Sequence, residues 1–483
     1  MSQIRTKCLR GDRDDERASV RRNIYAMATE FYLPNYFAAE HETAAYIARL
    51  LQQPCKSIKA SADGLSHKQP EAVAMACSNS LSILHGPPGT GKTTTLRCIV
   101  QSFQDAKLSI LGISPTGKAS KRMYEVINRD CSNKINCMTV HRGMKYNPGL
   151  HAFGINRFQP FDYDVLIMDE WSMLGCLLCR DFLSSVNPKR TRVLFCGDPW
   201  QLPSVDPGNV AKDMVMSGVL PSTELDFVFR TGKNSGIAYN AQRILQGENI
   251  VKIDPRTGET FNDCFFVPTK SEEETFQWII DNVSEKIPRA RHVNPNTDIQ
   301  VLSPGKKGTV GTEAINKALR DKLNPYDSAS KGKTFKGFRV NDRIINRKNS
   351  YQYGIVNGDV GLISAIEDEV VVCEFSVGAG IDGSGHVEIA KSDFESIYLA
   401  YCNTVHSSQG SEYNTVVVPI HRSHHMLLTR ELVYTAWTRA KQLTVFVGDS
   451  RAFAYALSNN VTSKRNTNLQ PILKKMLPQF NAG

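Results

Sequence analysis

The sequence lacks a long uninterrupted hydrophobic run. No apolar stretch approaches the ~18 residues that a helix needs to span a bilayer. The first 17 residues are rich in charge and contain no apolar core typical of a secretory signal. We therefore expect a cytoplasmic protein that has no membrane partner.

Closely spaced cysteine pairs are also scarce. The 12 cysteines are scattered, and most lie in apolar surroundings, which is typical of reduced core residues in a cytosolic protein. The single C-x-x-C, formed by Cys176 and Cys179, has no second close pair, whereas a structural zinc site takes four ligands. The pattern disfavours a zinc-bound or redox-active protein.

Acidic residues are outnumbered by basic ones. The chain has 58 Lys and Arg against 48 Asp and Glu, a formal net charge of +10. This surplus favours a polyanionic partner, and nucleic acid is the first candidate. The length of 483 residues exceeds one ordinary domain, so several are expected.

Short apolar runs alternate with helical patterns along most of the chain, which predicts an α/β fold with buried parallel strands. We expect one α/β domain at 63–205 and a second at 206–323, which continues with a C-terminal tail at 397–483.

Three further segments depart from this alternation. Residues 145–160 are rich in Gly, Pro, Asn and aromatic residues and predict an inserted hairpin. Residues 324–396 contain short alternating segments and Gly-rich turns, which predict a small β-barrel insert. Residues 1–62 are expected to form a small helical N-terminal unit, with the helical pattern running from about 22 to 53.

The strongest motif is GPPGTGKT, which fits G-x-x-x-x-G-K-[ST] and lies between an apolar strand and a helix. Small residues let backbone N–H groups surround phosphate oxygens, and the helix N-terminus adds positive potential. Lys92 is expected to neutralise the β- and γ-phosphates, and the Thr93 hydroxyl to coordinate Mg²⁺. The sequence therefore predicts an ATP–Mg²⁺ site whose phosphate-binding residues are Gly86, Pro87, Pro88, Gly89, Thr90, Gly91, Lys92, Thr93 and Thr94.

Two later strands also end in polar residues. The run VLIMDE places Asp169 and Glu170 at the end of an apolar strand. Asp169 is expected to hold Mg²⁺, and Glu170 to act as the general base on the attacking water. The run GDPWQLP places Gln201 where it could sense the γ-phosphate.

These motifs, with several others in the same order, resemble those of superfamily 1B helicases of the RecD-like group, over about 31 to 473. The resemblance implies two RecA-like P-loop domains and an SH3-like barrel insert. The supporting runs are LSHKQ, SPTGKASK, TVHR, DEWSM, GDPWQLPSVDPGNV, FVFR, NTVHSSQGSE and LTRELVYTAWTRAK.

The resemblance also implies roles for residues outside the phosphate loop. Gln69 would hydrogen-bond the adenine, and Glu412 would face the ribose. Arg230 would reach the γ-phosphate, and Arg439 would be the arginine finger supplied by the second domain. Mg²⁺ and ATP are the implied cofactors.

A second set of residues would face single-stranded DNA. Phe153, in the inserted hairpin, would act as the pin that separates strands; the alternative is a Phe that packs on its own domain. The other residues implied to contact DNA are Pro115, Thr116, Lys118, His141, Thr404 and His406.

The function expected from this resemblance is an ATP-dependent DNA helicase that moves 5′→3′ on single-stranded DNA and unwinds forked duplexes. It would work as a monomer, with a replication or recombination protein as a candidate partner. Two alternatives stay open: an RNA helicase or remodeller of the same superfamily, and an ATP-dependent nucleic-acid clamp that does not unwind.

Overall fold

The computed structural model describes residues 25–27, 30–129, 133–229, 235–326, 334–376, 378–381, 383–460 and 465–477. Across these ranges, none of the helices combines the length and apolar character that crossing a membrane requires. Two parallel sheets and one antiparallel sheet organise the chain.

The N-terminal region is only partly helical. Strand β1 (Tyr25–Met27) pairs antiparallel with β2 (Glu30–Tyr32), and helix α1 (Pro34–Leu51) follows. The helical prediction from residue 22 onward is therefore wrong for these two strands, which are too short to give a clear alternating pattern. Helix α1 is not a separate unit either, because Ala44, Ile47 and Leu50 lie in the core of the first α/β domain.

The first domain is built on six parallel strands. Their order is β10-β3-β9-β8-β4-β5, and a small antiparallel hairpin of β6 and β7 lies outside the sheet. The strands are β3 (Leu81–His85), β4 (Ile110–Ser114), β5 (Asn136–Thr139), β6 (Tyr146–Asn147), β7 (Ala152–Phe153), β8 (Val165–Asp169), β9 (Arg192–Gly197) and β10 (Ser222–Glu224). The helices are α2 (Gln69–Ser78), α3 (Lys92–Asp105), α4 (Gly117–Ile127), α5 (Val140–Gly143), α6 (Cys176–Ser184) and α7 (Val210–Ser217).

Both faces of this sheet are covered, as a parallel sheet requires. One core lies between the sheet and α2, α3 and α4, and the other between the sheet and α1, α6 and α7.

Strand β10 pairs with β3, so the expected boundary at 205/206 is wrong and the first domain continues to β10. A three-residue strand gives too little pattern to be assigned to either sheet from sequence.

The second domain surrounds the insert. Before the insert it contains α8 (Gly236–Gln246), β11 (Cys264–Pro268), α9 (Glu272–Asp281), α10 (Ile287–Arg291), β12 (Ile299–Ser303) and α11 (Thr312–Leu323). The insert contains β13 (Arg343–Asn346), β14 (Val360–Ile366), β15 (Val370–Phe375), β16 (His386–Ala390) and β17 (Ile397–Leu399). After it come β18 (Cys402–Thr404), β19 (Tyr413–Ile420), α12 (Arg430–Trp437), β20 (Ala440–Gly448), α13 (Ser450–Ser458) and α14 (Leu469–Met476).

The two sheets of this half differ in kind. The second domain has five parallel strands in the order β11-β20-β19-β12-β18, and the insert has five antiparallel strands in the order β16-β15-β14-β13-β17. The fold class predicted from sequence, two α/β domains with a β insert, is confirmed. The expected end of the insert at 396 is slightly early, because Ile397–Leu399 still pairs with β13.

The insert rests on helix α4 of the first domain. Lys121 on α4 forms an ion pair with Asp359 at 3.2 Å. Gly117, at the start of α4, faces Val356 so closely that a Cβ at this position would lie 2.6 Å from the Cβ of Val356. The insert therefore contacts the first domain although it interrupts the second.

The C-terminal segment also returns to the first domain. Leu469, Leu473 and Leu477 are buried in the core that contains α1 and α7. The Thr467 hydroxyl lies 2.7 Å from a carboxylate oxygen of Glu40 and 2.7 Å from one of Asp213. One hydroxyl proton can serve only one of these oxygens, so the second contact needs a proton on a carboxyl group.

The carboxyl pair predicts a pH-dependent stability that Asp213→Asn should remove. Burial, reinforced by Glu40, raises the pKa of Asp213 to about 6. Because the pKa of Asp213 is higher in the folded chain than in the unfolded chain, its protonated carboxyl stabilises the fold at pH values below the unfolded-state pKa. This stabilisation is lost as the pH rises through the folded-state pKa of about 6. When the pH is raised from about 4.5 to about 7.5, the free energy of unfolding should fall by roughly 2 kcal/mol more in the wild type than in Asp213→Asn.

Urea unfolding of both proteins at the two pH values measures this difference, since every other titrating group is common to them. Parallel curves for the wild type and Asp213→Asn would contradict the assignment.

Candidate functional site

The loop between β3 and α3 is shaped by glycine. Gly91 adopts a φ of 80°, and a Cβ there would lie 2.3 Å from Nε2 of Gln69. A Cβ at Gly86 would lie 2.3 Å from the carbonyl oxygen of Leu225. Because neither position has room for a side chain, the loop closes tightly around the first turn of α3, as a phosphate-binding loop must.

Lys92 lies at the centre of this loop. Its Nζ donates to the carbonyl oxygens of Gly86, at 2.6 Å, and Pro87, at 2.8 Å. The Thr90 hydroxyl also donates to Pro87, at 2.9 Å. The loop carbonyls therefore hold the ammonium group where phosphate oxygens would approach it.

A cavity of about 590 Å³ opens beside the loop, between the two α/β domains. Its volume suits a nucleotide. Most of the predicted nucleotide residues line it: Gln69, Pro88, Gly89, Gly91, Lys92, Thr93, Thr94, Asp169, Glu170, Gln201, Glu412 and Arg439. Gly86, Pro87 and Thr90 support the loop from behind: the carbonyl oxygens of Gly86 and Pro87 accept from Lys92, and that of Pro87 also accepts from the Thr90 hydroxyl. Arg230 lies outside the described residues.

Asp169 and Glu170 form the acidic side of the cavity. Burial, and then the neighbouring Glu170, raises the pKa of Asp169 above its usual range. Glu170 adopts a left-handed backbone conformation with φ of 50°, which costs a non-glycine residue about 1–2 kcal/mol. With the Thr93 hydroxyl, these carboxylates form a set of oxygen donors that fits Mg²⁺.

The loop that carries Gln201 is held by the second domain. Asp198 accepts from Gln201 Nε2 at 3.2 Å and from the Tyr434 hydroxyl at 2.9 Å. The Leu202 backbone N–H donates to the Thr435 hydroxyl at 2.8 Å. Asp198 and Tyr434 are functional candidates that the sequence interpretation missed, although Asp198 lies within the quoted GDPWQLP run.

Arg439 contributes to the cavity from the second domain. Its side chain is buried, with Nε donating to the carbonyl oxygen of Thr435 at 3.2 Å and an Nη to that of Ser411 at 3.1 Å. These bonds leave part of the guanidinium fork for an anion in the cavity. Lys92 and Arg439 therefore line one cavity from opposite domains.

An interdomain ion pair occupies the position expected for ribose recognition. Glu412 lies 2.8 Å from an Nη of Arg122, and a second Nη of Arg122 donates to the carbonyl oxygen of Gly410 at 3.3 Å. Arg122 also lines the cavity. Sequence interpretation missed it, although Arg122 lies four residues after Lys118, one helical turn further along α4.

Aromatic side chains lie beside the loop on the opposite side. Phe229 lines the cavity, and its backbone N–H donates to the carbonyl oxygen of Gly89 at 2.8 Å. His67 stacks on Phe227 with ring centroids 3.8 Å apart, and Phe229 meets Phe227 edge to face at 4.8 Å. Neither Phe was predicted as a site residue, because the quoted FVFR run drew attention to Arg230 alone.

The residues predicted to contact DNA follow the carboxyl ends of strands in both domains. Pro115 and Thr116 follow β4, and Lys118 lies in the first turn of α4. The Thr116 hydroxyl caps α4 by accepting from the Ala119 N–H at 3.3 Å. His141 and His406 are exposed. Thr404 ends β18, is buried, and its hydroxyl bonds to Ser407 at 3.0 Å, so it shapes the turn that precedes His406.

Phe153 is not at the tip of the inserted hairpin. Its half-buried ring contacts Tyr146 at 5.1 Å and His141 at 5.9 Å, and it packs against the first-domain core. The large apolar side chains that the 145–160 segment exposes are Leu150, at 75%, and Phe158, at 78%.

Comparison with known proteins agrees with this geometry. Residues 64–257 match the family model described as an AAA domain, and 315–375 match the ATP-dependent RecD-like DNA helicase SH3 domain. The ATP-dependent RecD2 DNA helicase of Deinococcus radiodurans is 32% identical over 451 residues, which are 91% of this chain and 58% of that protein. Over most of its length, the chain is therefore similar to RecD-like helicases.

Other family models and proteins are similar to parts of the chain or to most of it. Residues 399–447 match the UvrD-like helicase C-terminal domain. The RecBCD enzyme subunit RecD of Mycolicibacterium smegmatis is 28% identical over 420 residues, which are 79% of this chain and 70% of that protein. The crystal structure of a Pif1 helicase from Bacteroides, in complex with ADP-AlF3 and ssDNA, has a TM-score of 0.49 and 16% identity, covering 81% of this chain and 94% of that chain.

The chain spans somewhat more than half of the Deinococcus relative, 58% of its length. The model that matches 64–257 covers the first α/β domain and extends over α8 of the second, and the 399–447 model falls on the second domain. The 315–375 model falls on α11 and the insert.

Proposed function

We propose that this chain is an ATP-dependent DNA helicase that moves 5′→3′ along single-stranded DNA and unwinds duplex. The observation that carries the proposal is the single cavity lined by Lys92, Asp169 and Glu170 from the first domain and by Arg439 from the second. A nucleotide bound there contacts both domains at once, so its hydrolysis can change how they sit against each other.

The phosphate end of the cavity performs the chemistry. Lys92 and the N-terminus of α3 stabilise the negative charge that spreads over the γ-phosphate oxygens in the transition state. Glu170 accepts a proton from the attacking water, and Gln201 orients that water. Arg439, and Arg230 at the end of the FVFR run, would add positive charge as the leaving group departs.

Thr93 and Asp169 would hold Mg²⁺ through oxygen atoms, with Asp169 acting through water. Bound Mg²⁺ neutralises part of the phosphate charge. Burial of the Asp169 carboxyl, and then its neighbour Glu170, raises the pKa of Asp169. The acidic side of the cavity is therefore suited to a divalent cation.

The base end of the cavity is apolar and aromatic. The Phe229 ring is 44% exposed beside the loop, which suits stacking on a purine. Gln69 has its Oε1 bonded to the Ser66 backbone N–H at 3.2 Å and its Nε2 to the Thr90 carbonyl oxygen at 3.5 Å. A base edge can replace the second, weaker contact.

Nucleotide turnover would reach DNA through the two elements that flank the cavity. Helix α4 carries Arg122 at the cavity, and Thr116 caps its DNA-facing end. In the second domain, the segment from Thr404 to Glu412 likewise begins at a proposed DNA contact and ends at the cavity. Closing the cleft therefore changes the spacing between the phosphate contacts on the two domains, which advances the chain by steps along the strand.

Unwinding of 5′-tailed and 3′-tailed duplexes by the purified chain tests the proposal. We expect ATP-dependent unwinding of the 5′-tailed duplex and of a fork, with DNA strands stimulating ATP hydrolysis. Stimulation by RNA alone would favour an RNA remodeller, and stimulated hydrolysis without unwinding would favour a clamp. Absence of any stimulation by nucleic acid would end the motor interpretation.

The exposed hairpin side chains make a further prediction. We propose that Phe158 and Leu150, rather than Phe153, meet the first base pair of the duplex. Phe158→Ala should slow unwinding roughly tenfold, because one base stack is worth about 1–3 kcal/mol. Stimulation of ATP hydrolysis by single-stranded DNA should not change.

Ile253→Ala is the matched control for Phe158→Ala, since Ile253 is an exposed apolar residue, 56% accessible, in the second domain. Equal slowing by both variants, or a parallel loss of ATP hydrolysis in Phe158→Ala, would exclude a local role in strand separation.

A further inference from the structure

The loop that follows Gln201 is built around a single cationic nitrogen. One Nη of Arg465 lies within hydrogen-bond distance of the carbonyl oxygens of Ser204, Asp206 and Gly208, at 3.0, 3.1 and 2.8 Å, so one of its two N–H groups is shared by two acceptors. Three carbonyl oxygens that converge on one nitrogen fix the path of the backbone over residues 204–208. Within the described residues, no other side chain donates a hydrogen bond to these three oxygens.

The same loop supports the segment that follows Glu170. The Ser204 backbone N–H donates to the carbonyl oxygen of Ser172 at 3.1 Å, and the Cys176 N–H donates to that of Pro207 at 3.4 Å. A Cβ at Gly175 would lie 2.7 Å from a carboxylate oxygen of Asp206, so the two segments are in close contact. Arg465 therefore stabilises a loop that follows Gln201 in sequence and contacts the segment that follows Glu170.

Arg465 belongs in sequence to the second half of the chain. It follows α13 by a short connection and precedes α14, whose leucines lie in the first-domain core. Along the chain, this connection links the second domain to Arg465. The same domain already holds the other end of the loop, through the bond between the Leu202 N–H and the Thr435 hydroxyl.

The buried carboxylate of Glu431 stabilises the positive charge of the Arg465 guanidinium. Glu431, at the start of α12, is 6% exposed, and its Oε2 has no hydrogen-bond partner within the described ranges. Burial lowers the pKa of Arg465, and the charge of Glu431 opposes that effect. The positive charge at this position is therefore supported by acceptors from one domain and a carboxylate from the other.

We propose that Arg465 is a positioning residue of the nucleotide site: it fixes the 204–208 loop and passes the movement of the second domain to Gln201 and Glu170. This inference rests on the proposed ATP-driven function. It assigns Arg465 no contact with the nucleotide, so its loss should affect turnover and not nucleotide binding.

Four variants separate positioning from stability. Arg465→Ala removes all three bonds, and Arg465→Lys can restore them because a single ammonium nitrogen carries three donors. Leu473→Ala shortens a buried side chain of α14, and it reports what a loss of docking alone would do. Lys474→Ala, at an exposed position of the same helix, is the surface control.

The measurements are ATP turnover with saturating single-stranded DNA, ADP affinity, and hydrogen–deuterium exchange of the 200–208 peptide. Arg465→Ala should lower kcat roughly tenfold and raise loop exchange by a similar factor, the equivalent of one lost charge-assisted hydrogen bond. ADP affinity and the KM for ATP should stay within about twofold of wild type, since Arg465 does not touch the nucleotide. Arg465→Lys should recover most of both losses, and Leu473→Ala should lower thermal stability without changing kcat in the folded protein.

An Arg465→Ala protein with unchanged loop exchange, or one that behaves like Leu473→Ala in every measurement, would overturn the proposal. So would a loss of kcat that Arg465→Lys does not recover. A wild-type chain without nucleic-acid-stimulated ATP turnover would instead contradict the proposed function, and the exchange measurement would still decide whether Arg465 holds the loop.

Discussion

Replacing Arg439 by Ala should lower kcat for ATP hydrolysis by about 10³–10⁵-fold, the effect typical of a lost arginine finger. The buried guanidinium is anchored by the carbonyl oxygens of Thr435 and Ser411, and it lines the cavity across from Lys92. Its positive charge is in place before the reaction starts, so little reorganisation accompanies the transition state. Removal should therefore affect hydrolysis far more than ADP binding.

Arg439→Lys and Arg451→Ala complete this experiment. Lysine keeps the charge without the planar fork, and it should recover only part of the rate. Arg451 is an exposed arginine on α13, and its replacement should leave turnover unchanged. Hydrolysis by Arg439→Ala within tenfold of wild type would show that the second domain does not supply the catalytic cation.

Glu170→Gln should reduce kcat by about 10²–10⁴-fold, the usual contribution of a general base. Glutamine keeps the shape of the side chain but cannot accept the proton of the attacking water. Nucleotide affinity should be retained or increased, because the substitution removes a negative charge that lies beside Asp169 and faces the phosphates. Stopped-flow binding of a fluorescent ATP analogue, together with steady-state turnover, measures both effects.

Glu71→Gln is the control for this substitution, since Glu71 is an exposed acid on α2 outside the cavity. A Glu170→Gln chain that hydrolyses ATP near the wild-type rate would transfer the role of base to another group. If the assignment holds, this variant would keep the cleft closed on DNA and bind single strands more tightly in ATP than in ADP.

The predicted site residues that the structure brings into one cavity belong to contiguous runs. Gly91, Lys92 and Thr93 lie in a loop whose glycine positions are required by contacts within a few ångströms. Asp169, Glu170 and Arg439 each end or follow a strongly patterned element. In these cases the local sequence specifies the geometry, and placing the residues in one cavity needed only the order of the motifs.

The contacts that sequence did not predict join distant parts of the chain. Arg122 meets Glu412, and Asp198 meets Tyr434, across the interface between the domains. Neither residue of such a pair carries a pattern that names its partner. The same limit applies to β10, whose three residues pair with β3 only because the first sheet has a free edge there.

Phe153 illustrates a different limit. The composition of 145–160 predicted a hairpin, and β6 and β7 pair antiparallel within it. Which aromatic ring faces outward depends on the register of two-residue strands, and a shift of one residue exchanges the two faces. In the observed register the ring of Phe153 faces its own domain. Phe158 lies after both strands and is exposed.

The docking of α14 on the first domain has a consequence for synthesis on the ribosome. The ~250 residues between α7 and α14 take roughly 10–50 s to translate. During that time the nascent first domain exposes the apolar surface between α1 and α7 that Leu469, Leu473 and Leu477 later cover. A chaperone that shields this surface would raise the yield of folded chain, and a gene shortened before codon 465 would yield a product prone to aggregate.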